Sequence, residues 1–318
     1  MHAATGRREV ARAPARARGA DPAPPATLRL VLRSVLALAL VACGPPPTPP
    51  VGPTGPAGPT PGGAPASGLR AGPPIASPGE HMHYKLSLQG LELAAYDLAV
   101  GEPTDAGAAG GARALPVTSH AKVTGLAAFL AAIDDHFTSW LDPATGRSLR
   151  FEVAEYATGS RTDIEHVVVD HAGRTGAAIP VSFHLNAAPA VAEPQQASLP
   201  ESWDVNALLI ALRGWEAPAG TRLTLEVFRS RFLWHVELTL RGKERLATDL
   251  GELPAVRLEG RTYKLDKAGA RAAGSDERAF TIWISDDAGR VPLEIKAVTD
   301  YGDLRMRIDD YQPGRDAG

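Results

Sequence analysis

The sequence predicts a mainly β protein: a curved antiparallel sheet, barrel-like or sandwich, carrying two short helices. Three observations predict it. Near the carboxyl end, Val291, Leu293, Ile295 and Ala297 alternate with Pro292, Glu294 and Lys296, and Leu304, Met306 and Ile308 alternate with Arg305, Arg307 and Asp309. Period-two alternation puts successive side chains on opposite faces, so each run has one apolar face and one wet face. Upstream, Leu223, Leu225 and Val227, then Phe232, Trp234, Val236, Leu238 and Leu240, repeat the pattern on either side of Arg229-Ser230. Apolar residues fall at helical spacing in two stretches, too few to make helices the framework.

Taken in order, the chain begins with an address. Leu36-Ala37-Leu38-Ala39-Leu40-Val41-Ala42-Cys43-Gly44 is a short apolar run closed by small residues, with Arg29 and Arg33 ahead of it. A cationic start, an apolar core of roughly 7–15 residues and small residues at the cut make a secretory signal. The core is shorter than the ~20 apolar residues that cross a bilayer. Pro45, Pro46 and Pro47 follow at once and stop any helix. The run resembles the lipobox of bacterial lipoproteins, which implies that residues 1–42 are removed and that the Cys43 thiol carries the lipid. Gly44 after the cysteine resembles outer-membrane sorting, with the domain facing the periplasm and palmitate among the acyl groups. Residues 1–26 lack apolar periodicity, and translation is expected to start near Leu28 to Leu32. Cys43 is the single cysteine, so no internal disulfide framework is available.

Residues 43–79 are Pro, Gly, Ala and Thr with little to build a core, and read as a disordered tether of at most on the order of 100 Å in extended polyproline form. The triplets Gly52 to Thr60 look collagen-like, but Pro61-Gly62-Gly63 breaks the phase, and the likeness follows from composition. A single β-rich domain is expected over 80–313, with 314–318 as a tail. At that size a chain buries roughly 70% of its unfolded surface, enough for stability without disulfides.

Within the domain, strands are expected at His83 to Leu88, Leu93 to Val100, Leu115 to Val123, Leu149 to Tyr156, Ile164 to Asp170, Val256 to Leu265 and Phe280 to Ser285, besides the runs above. Pro292 lacks an amide hydrogen, so its strand is an edge or is met there from one side only. The first helix is expected at Leu126, Phe129, Leu130, Ile133 and Phe137; the second at Val205, Leu208, Leu209 and Leu212, after Asp204 as N-cap and before Gly214. Each is short and must lie on a sheet face or plug its open end. Asn186 to Ser202, with three prolines, reads as a long loop.

Three stretches carry a family resemblance: Gly79-Glu80-His81-Met82-His83-Tyr84; Asp204-Val205-Asn206-Ala207-Leu208-Leu209-Ile210-Ala211-Leu212-Arg213; and Trp283-Ile284-Ser285-Asp286-Asp287 followed by Arg290-Val291-Pro292-Leu293. They resemble the bacterial envelope family called domain of unknown function 3108, over nearly all of residues 79–313. The resemblance implies an exported or lipid-anchored β-rich protein and brings no catalytic residue with it.

The chain has 33 Lys+Arg and 36 Asp+Glu; removing residues 1–42, with seven Arg, Glu9 and Asp21, leaves 26 basic and 34 acidic residues, a net charge of −8. That sign argues against nucleic acid as a partner. No nucleophile elbow, His-Glu-x-x-His, phosphate loop or dinucleotide fingerprint is present. Three polar clusters remain. His81 and His83 would share one strand face and could share a metal, or simply begin the domain in solvent. His166 and Asp170, on one face with Val168, would stand roughly 13 Å apart, too far for a hydrogen bond, with His171 opening the next turn. Asp134, Asp135 and His136 would end the first helix, where acidic groups oppose the dipole, or else begin an exposed strand. No metal, cofactor or catalytic residue is assigned from these. The function expected is a non-enzymatic role at the membrane, structural or binding a hydrophobic ligand or envelope protein; the alternative is a lipid-anchored hydrolase using Asp134, Asp135 and His136. An apolar concavity is expected where the sheet meets the helix of Leu126, Phe129, Leu130 and Ile133, lined by Phe232, Trp234 and Phe280.

Overall fold

The computed structural model describes residues 65–66, 69, 71–105, 113–125, 133–157, 160–299 and 301–315. Cys43 and the signal segment lie outside the described residues, as do residues 126–132 of the first expected helix. The long strands are β1 His81–Leu88, β2 Leu91–Val100, β3 Arg113–Val123, β4 Asp134–Leu141, β5 Ser148–Tyr156, β6 Ile164–Asp170, β7 Val181–Leu185, β8 Arg222–Arg229, β9 Phe232–Thr248, β10 Gly251–Lys264, β11 Arg278–Ser285, β12 Pro292–Thr299 and β13 Gly302–Gln312; the helix α1 spans Val205–Arg213.

The strands form one curved antiparallel meander, in the spatial order β8-β9-β10-β11-β12-β13-β1-β2-β3-β4-β5-β6-β7. The chain thus enters in the middle of the sheet, lays down one half, crosses over through α1 and returns through the other half. The sheet curls until its two ends approach. Arg229 at the end of β8 pairs with Glu155 on β5 (3.3 Å), and Arg231 reaches Glu165 on β6 (3.2 Å) and lies 4.1 Å over the Phe183 ring of β7. The free edge of β8 is covered by short parallel segments, Pro65–Ala66 against Arg222-Leu223 and Trp203–Asp204 against Val227-Phe228. Glu226 of β8, fully buried, accepts from the Ser198 and Leu199 amides and the Ser198 hydroxyl, holding the loop that fills the seam. Barrel closure here uses side chains and loop backbone, which protects two edges that would otherwise expose unpaired amides.

α1 is the plug. Asp204 caps it, accepting from the Asn206 (3.0 Å) and Ala207 (2.9 Å) amides. Apart from Ala211 every residue of the helix is buried, and Leu208, Leu209, Ile210 and Leu212 are at most 2% exposed. A helix buried on nearly every side belongs inside a core, its polar Asn206 and Arg213 both partnered there, and burying those four side chains contributes about 1.5–3 kcal/mol each. Of the two expected placements, sheet face or open end, it takes the sheet face, on the inner side against β3, β4 and β8.

Several expectations change. Of the two readings of Asp134, Asp135 and His136 the strand holds, with Asp135 on its buried side, and Phe137, placed by spacing on the first helix, points from β4 into the core. Within the segment taken as tether, Leu69 is 5% exposed and joins the core, the Gly72 amide donates to Thr145 O, and the Gly79 amide to Val100 O. An apolar side chain eleven residues ahead of Glu80 thus extends the packed unit backwards. Past Pro313, the Arg315 amide donates to Pro78 O. Trp234 and Phe280 are buried, 6% and 3% exposed, and Phe280 packs in the core while also adjoining a depression on the outer side of the sheet. The Pro292 expectation holds in its second form: the residue is met from one side only, bridging β11 while the ladder to β13 begins at Glu294, which accommodates the missing amide inside the sheet.

Candidate functional site

Two polar constellations stand out, one inside the barrel and one outside. Inside, both ends of α1 are tied to the wall. At its start the Asp204 carboxylate also accepts from Ser139 of β4 (2.6 Å) and Ser148 of β5 (2.5 Å). Burial pushes its carboxyl up, against four donors that favour the anion. Asn206 accepts from the Ser119 hydroxyl of β3 (2.8 Å) and donates to Val117 O (3.2 Å). At the far end the Arg213 guanidinium forks onto the Glu80 carboxylate (2.9 and 2.7 Å) and also donates to Gly289 O. Arg290 closes over the helix end, donating to Arg213 O (2.7 Å) and Trp215 O (2.9 Å), and Tyr311 donates to Glu80 (2.9 Å). Every buried charge in this group has a partner, the condition under which such groups are tolerated.

Outside, the strand register aligns a row of histidines. Asp310, His83, Asp97, His120, His136, Ala154, His166 and His184 are successive cross-strand partners from β13 through β1 to β7. With His81, six of the nine histidines stand in or beside this row, all on the outward face, so the clustering is a property of register rather than of any one segment. The centre is tightest. His120 Nε2 lies 2.5 Å and His136 Nε2 3.2 Å from one oxygen, Asp134 Oδ1, and the two imidazoles stack at 4.2 Å. The hydrogen bond from His120 holds the Asp134 carboxyl below its ordinary range, helped by His136 and Lys122 and opposed by burial. One strand away, Asp97 Oδ1 takes His83 Nδ1 at 2.7 Å and His81 Nε2 at 3.3 Å. His166 and His184 stack at 4.7 Å. Asp97, Thr118, His120, His136 and Thr138 line one shallow depression of about 180 Å³.

The sequence clusters are therefore regrouped. His81 and His83 do share a face, and their partner is Asp97. Asp134 and His136 share a face, but their partner is His120 from β3, while Asp135 is turned to the buried side. His166 meets His184 instead of Asp170, whose carboxylate accepts from the Gly173 amide. His120, Asp97 and His184 escape a reading of the sequence because each stands alone in its own strand; alternation in Arg113–Val123 carries the only signal for His120.

The profile of the family described as "Protein of unknown function (DUF3108)" matches residues 81–309. The chain belongs to that family. The three stretches singled out in the sequence meet at the inner constellation: Glu80, just ahead of the matched residues, from the first, Asp204, Asn206 and Arg213 from the second, Arg290 from the third, with the Tyr84 hydroxyl of the first donating to Pro292 O of the third (2.9 Å). They are the fastenings of the plug. No curated protein matches this DUF3108 chain. Among solved structures it is similar to a β-barrel-like protein of domain of unknown function DUF1849 from Brucella abortus, at 9% identity and TM-score 0.48, covering 78% of this chain and all of that one. It is also similar to a candidate lipoprotein from Parabacteroides distasonis, at 6% identity and TM-score 0.34, covering 78% of this chain and all of that one. A candidate exported protein with a YmcC-like fold from Bacteroides fragilis matches at 6% identity and TM-score 0.29, over 77% of this chain and 99% of that one. No helix among the described residues is long and apolar enough to cross a membrane.

Proposed function

We propose that this protein is a non-enzymatic bacterial envelope lipoprotein, held by acyl chains on Cys43 at the outer membrane, facing the periplasm, and meeting an envelope partner with the outer surface of its barrel. The observation that carries the reading of the domain is α1. It occupies the space in which an open sheet would receive a hydrophobic ligand, and its ends are fastened by Asp204, Asn206 and Arg213. Binding then falls to the outward faces, where a depression of about 660 Å³ lined by Arg222, Glu237, Arg241, Glu259, Arg261 and Lys296 offers mixed charge. The anchor rests on the run Leu36 to Cys43 and on the persistence that two or more acyl chains give. The hydrolase alternative loses one of its three residues, because Asp135 faces inward.

The test is Cys43→Ser expressed in a bacterial host. The expected result is loss of labelling by radioactive palmitate and release of the protein from the membrane to the soluble periplasmic fraction. Unchanged labelling or fractionation overturns the anchor.

A further inference from the structure

We infer that His120, Asp134 and His136 form a binding site for a borderline divalent transition metal, of which zinc is the type. Three ligand atoms, one from each residue, lie within 4.8 Å of one another. Two neutral imidazole nitrogens and a carboxylate oxygen suit zinc, copper or nickel, whereas magnesium and calcium prefer all-oxygen shells. A tetrahedral zinc with ligands at 2.0–2.2 Å sets them about 3.3–3.6 Å apart. The His136–Asp134 separation of 3.2 Å is already close to that value, and the 2.5 Å His120–Asp134 contact reaches it by opening less than about an ångström.

The supporting structure is rigid. His120 and His136 are directly paired across β3 and β4, and Asp134 is two residues from His136 on the same face. On the inner face of the same strands, Ser119 and Ser139 hold Asn206 and Asp204 of the plug. The metal-facing side chains thus stand on strands clamped from behind, the arrangement that keeps ligands in register. Their exposure, 32%, 43% and 58% for His120, Asp134 and His136, leaves the site open to an entering ion. Three protein ligands leave one position for water or for a partner's side chain. Asp97, directly across from His120 and lining the same depression, is placed to supply an outer-shell acceptor. The two imidazole planes stack nearly parallel, at 8° and 4.2 Å, so taking up one ion requires a ring to turn about its χ angles until both Nε2 lone pairs point at it, a motion open to the exposed His136 side chain.

The experiment uses the full chain purified in detergent through a tag free of histidine, stripped with a chelator and titrated with zinc chloride by calorimetry. One strong equivalent is expected, weakened by at least ~100-fold in His120→Ala, His136→Ala and Asp134→Asn, since even an outer-shell partner is worth 10–100-fold. His166→Ala/His184→Ala, removing the other stacked pair, should leave that equivalent in place. Cobalt(II) added to the unmodified protein should give the visible bands of four-coordinate cobalt. Absence of those bands, or zinc binding that the three single variants do not weaken, overturns the site.

Discussion

Arg213 and Glu80, separated by 133 residues in sequence, form a two-pronged ion pair with both side chains only 2% exposed. The pair joins the end of α1 to the residue just ahead of the first long strand, so it connects the plug to the middle of the sheet. Removing one partner leaves the other charged and buried. Arg213→Ala or Glu80→Ala should each cost about 3–5 kcal/mol in urea unfolding, while the double change Arg213→Met/Glu80→Leu should recover most of the loss. Single variants that unfold at the wild-type urea concentration would mean the pair carries no structural weight.

Leu69 tests where the folded unit begins. It is 5% exposed and packed in the core, although Gly68 and Arg70 flank it and no other large apolar residue stands between Ala66 and Pro74. Leu69→Ala should lower stability by about 2 kcal/mol or more, the usual cost of emptying a buried leucine site. An unchanged urea midpoint would restrict the stable unit to the residues from Glu80 onward.

His171 sets part of the response to acid. Its Nδ1 meets Ser202 Oγ at 3.0 Å, its ring packs edge-on to Phe228 at 5.4 Å, and its Nε2 is buried. Burial, with Arg174 nearby, lowers the pKa from 6.5 to about 3. The unfolded chain then binds a proton that the folded one refuses, so stability falls as pH drops from about 6.5 toward 3 and is unaffected above. At pH 5 the loss from this one group is about 2 kcal/mol. Replacing it with Gln should remove that share of the difference in unfolding free energy between pH 7 and pH 5. Parallel pH curves for the two proteins would refute the assignment.

Gly260 lies under the Phe280 ring, and a Cβ there would overlap the ring carbons. Gly260→Ala should therefore destabilise by about 1–3 kcal/mol, the cost of overpacking a filled core. Adding Phe280→Leu to the Gly260→Ala protein should return part of it. Thermal unfolding of wild type, single and double variant decides the matter, and a Gly260→Ala protein as stable as wild type would show that the ring has room to move.

Much of the sheet is legible in the sequence because alternation is a local signal. Most runs between His81–Leu88 and Gly302–Gln312 carry apolar residues on one side and polar residues on the other. β4 evades that signal since its inward column is Asp135, Phe137, Ser139 and Leu141, two of them polar, and Ser139 is polar because it bonds the helix cap. β7 evades it as a five-residue run between Pro180 and a proline-bearing loop, too short for its alternation to register. Spacing and Asp204 are enough to place α1, yet its burial on every side depends on strands far away in the chain.

The sequence alone thus determined the β class, the strand runs other than β4 and β7, the capped helix and the lipobox-like run at Cys43, all of which rest on residues near one another. Only the tertiary structure decided that the helix fills the barrel and that Glu80, Arg213 and Arg290 meet at its end. It alone also set five histidines in one row, with His81 beside it. The physical reason is register. Which residues face one another across strands is set by turns and by bulges such as those at Leu86/Ser87 and Ile308/Asp310. A slip of one residue in β3 would turn His120 inward and bring Ser119 out, so no segment read by itself contains the site.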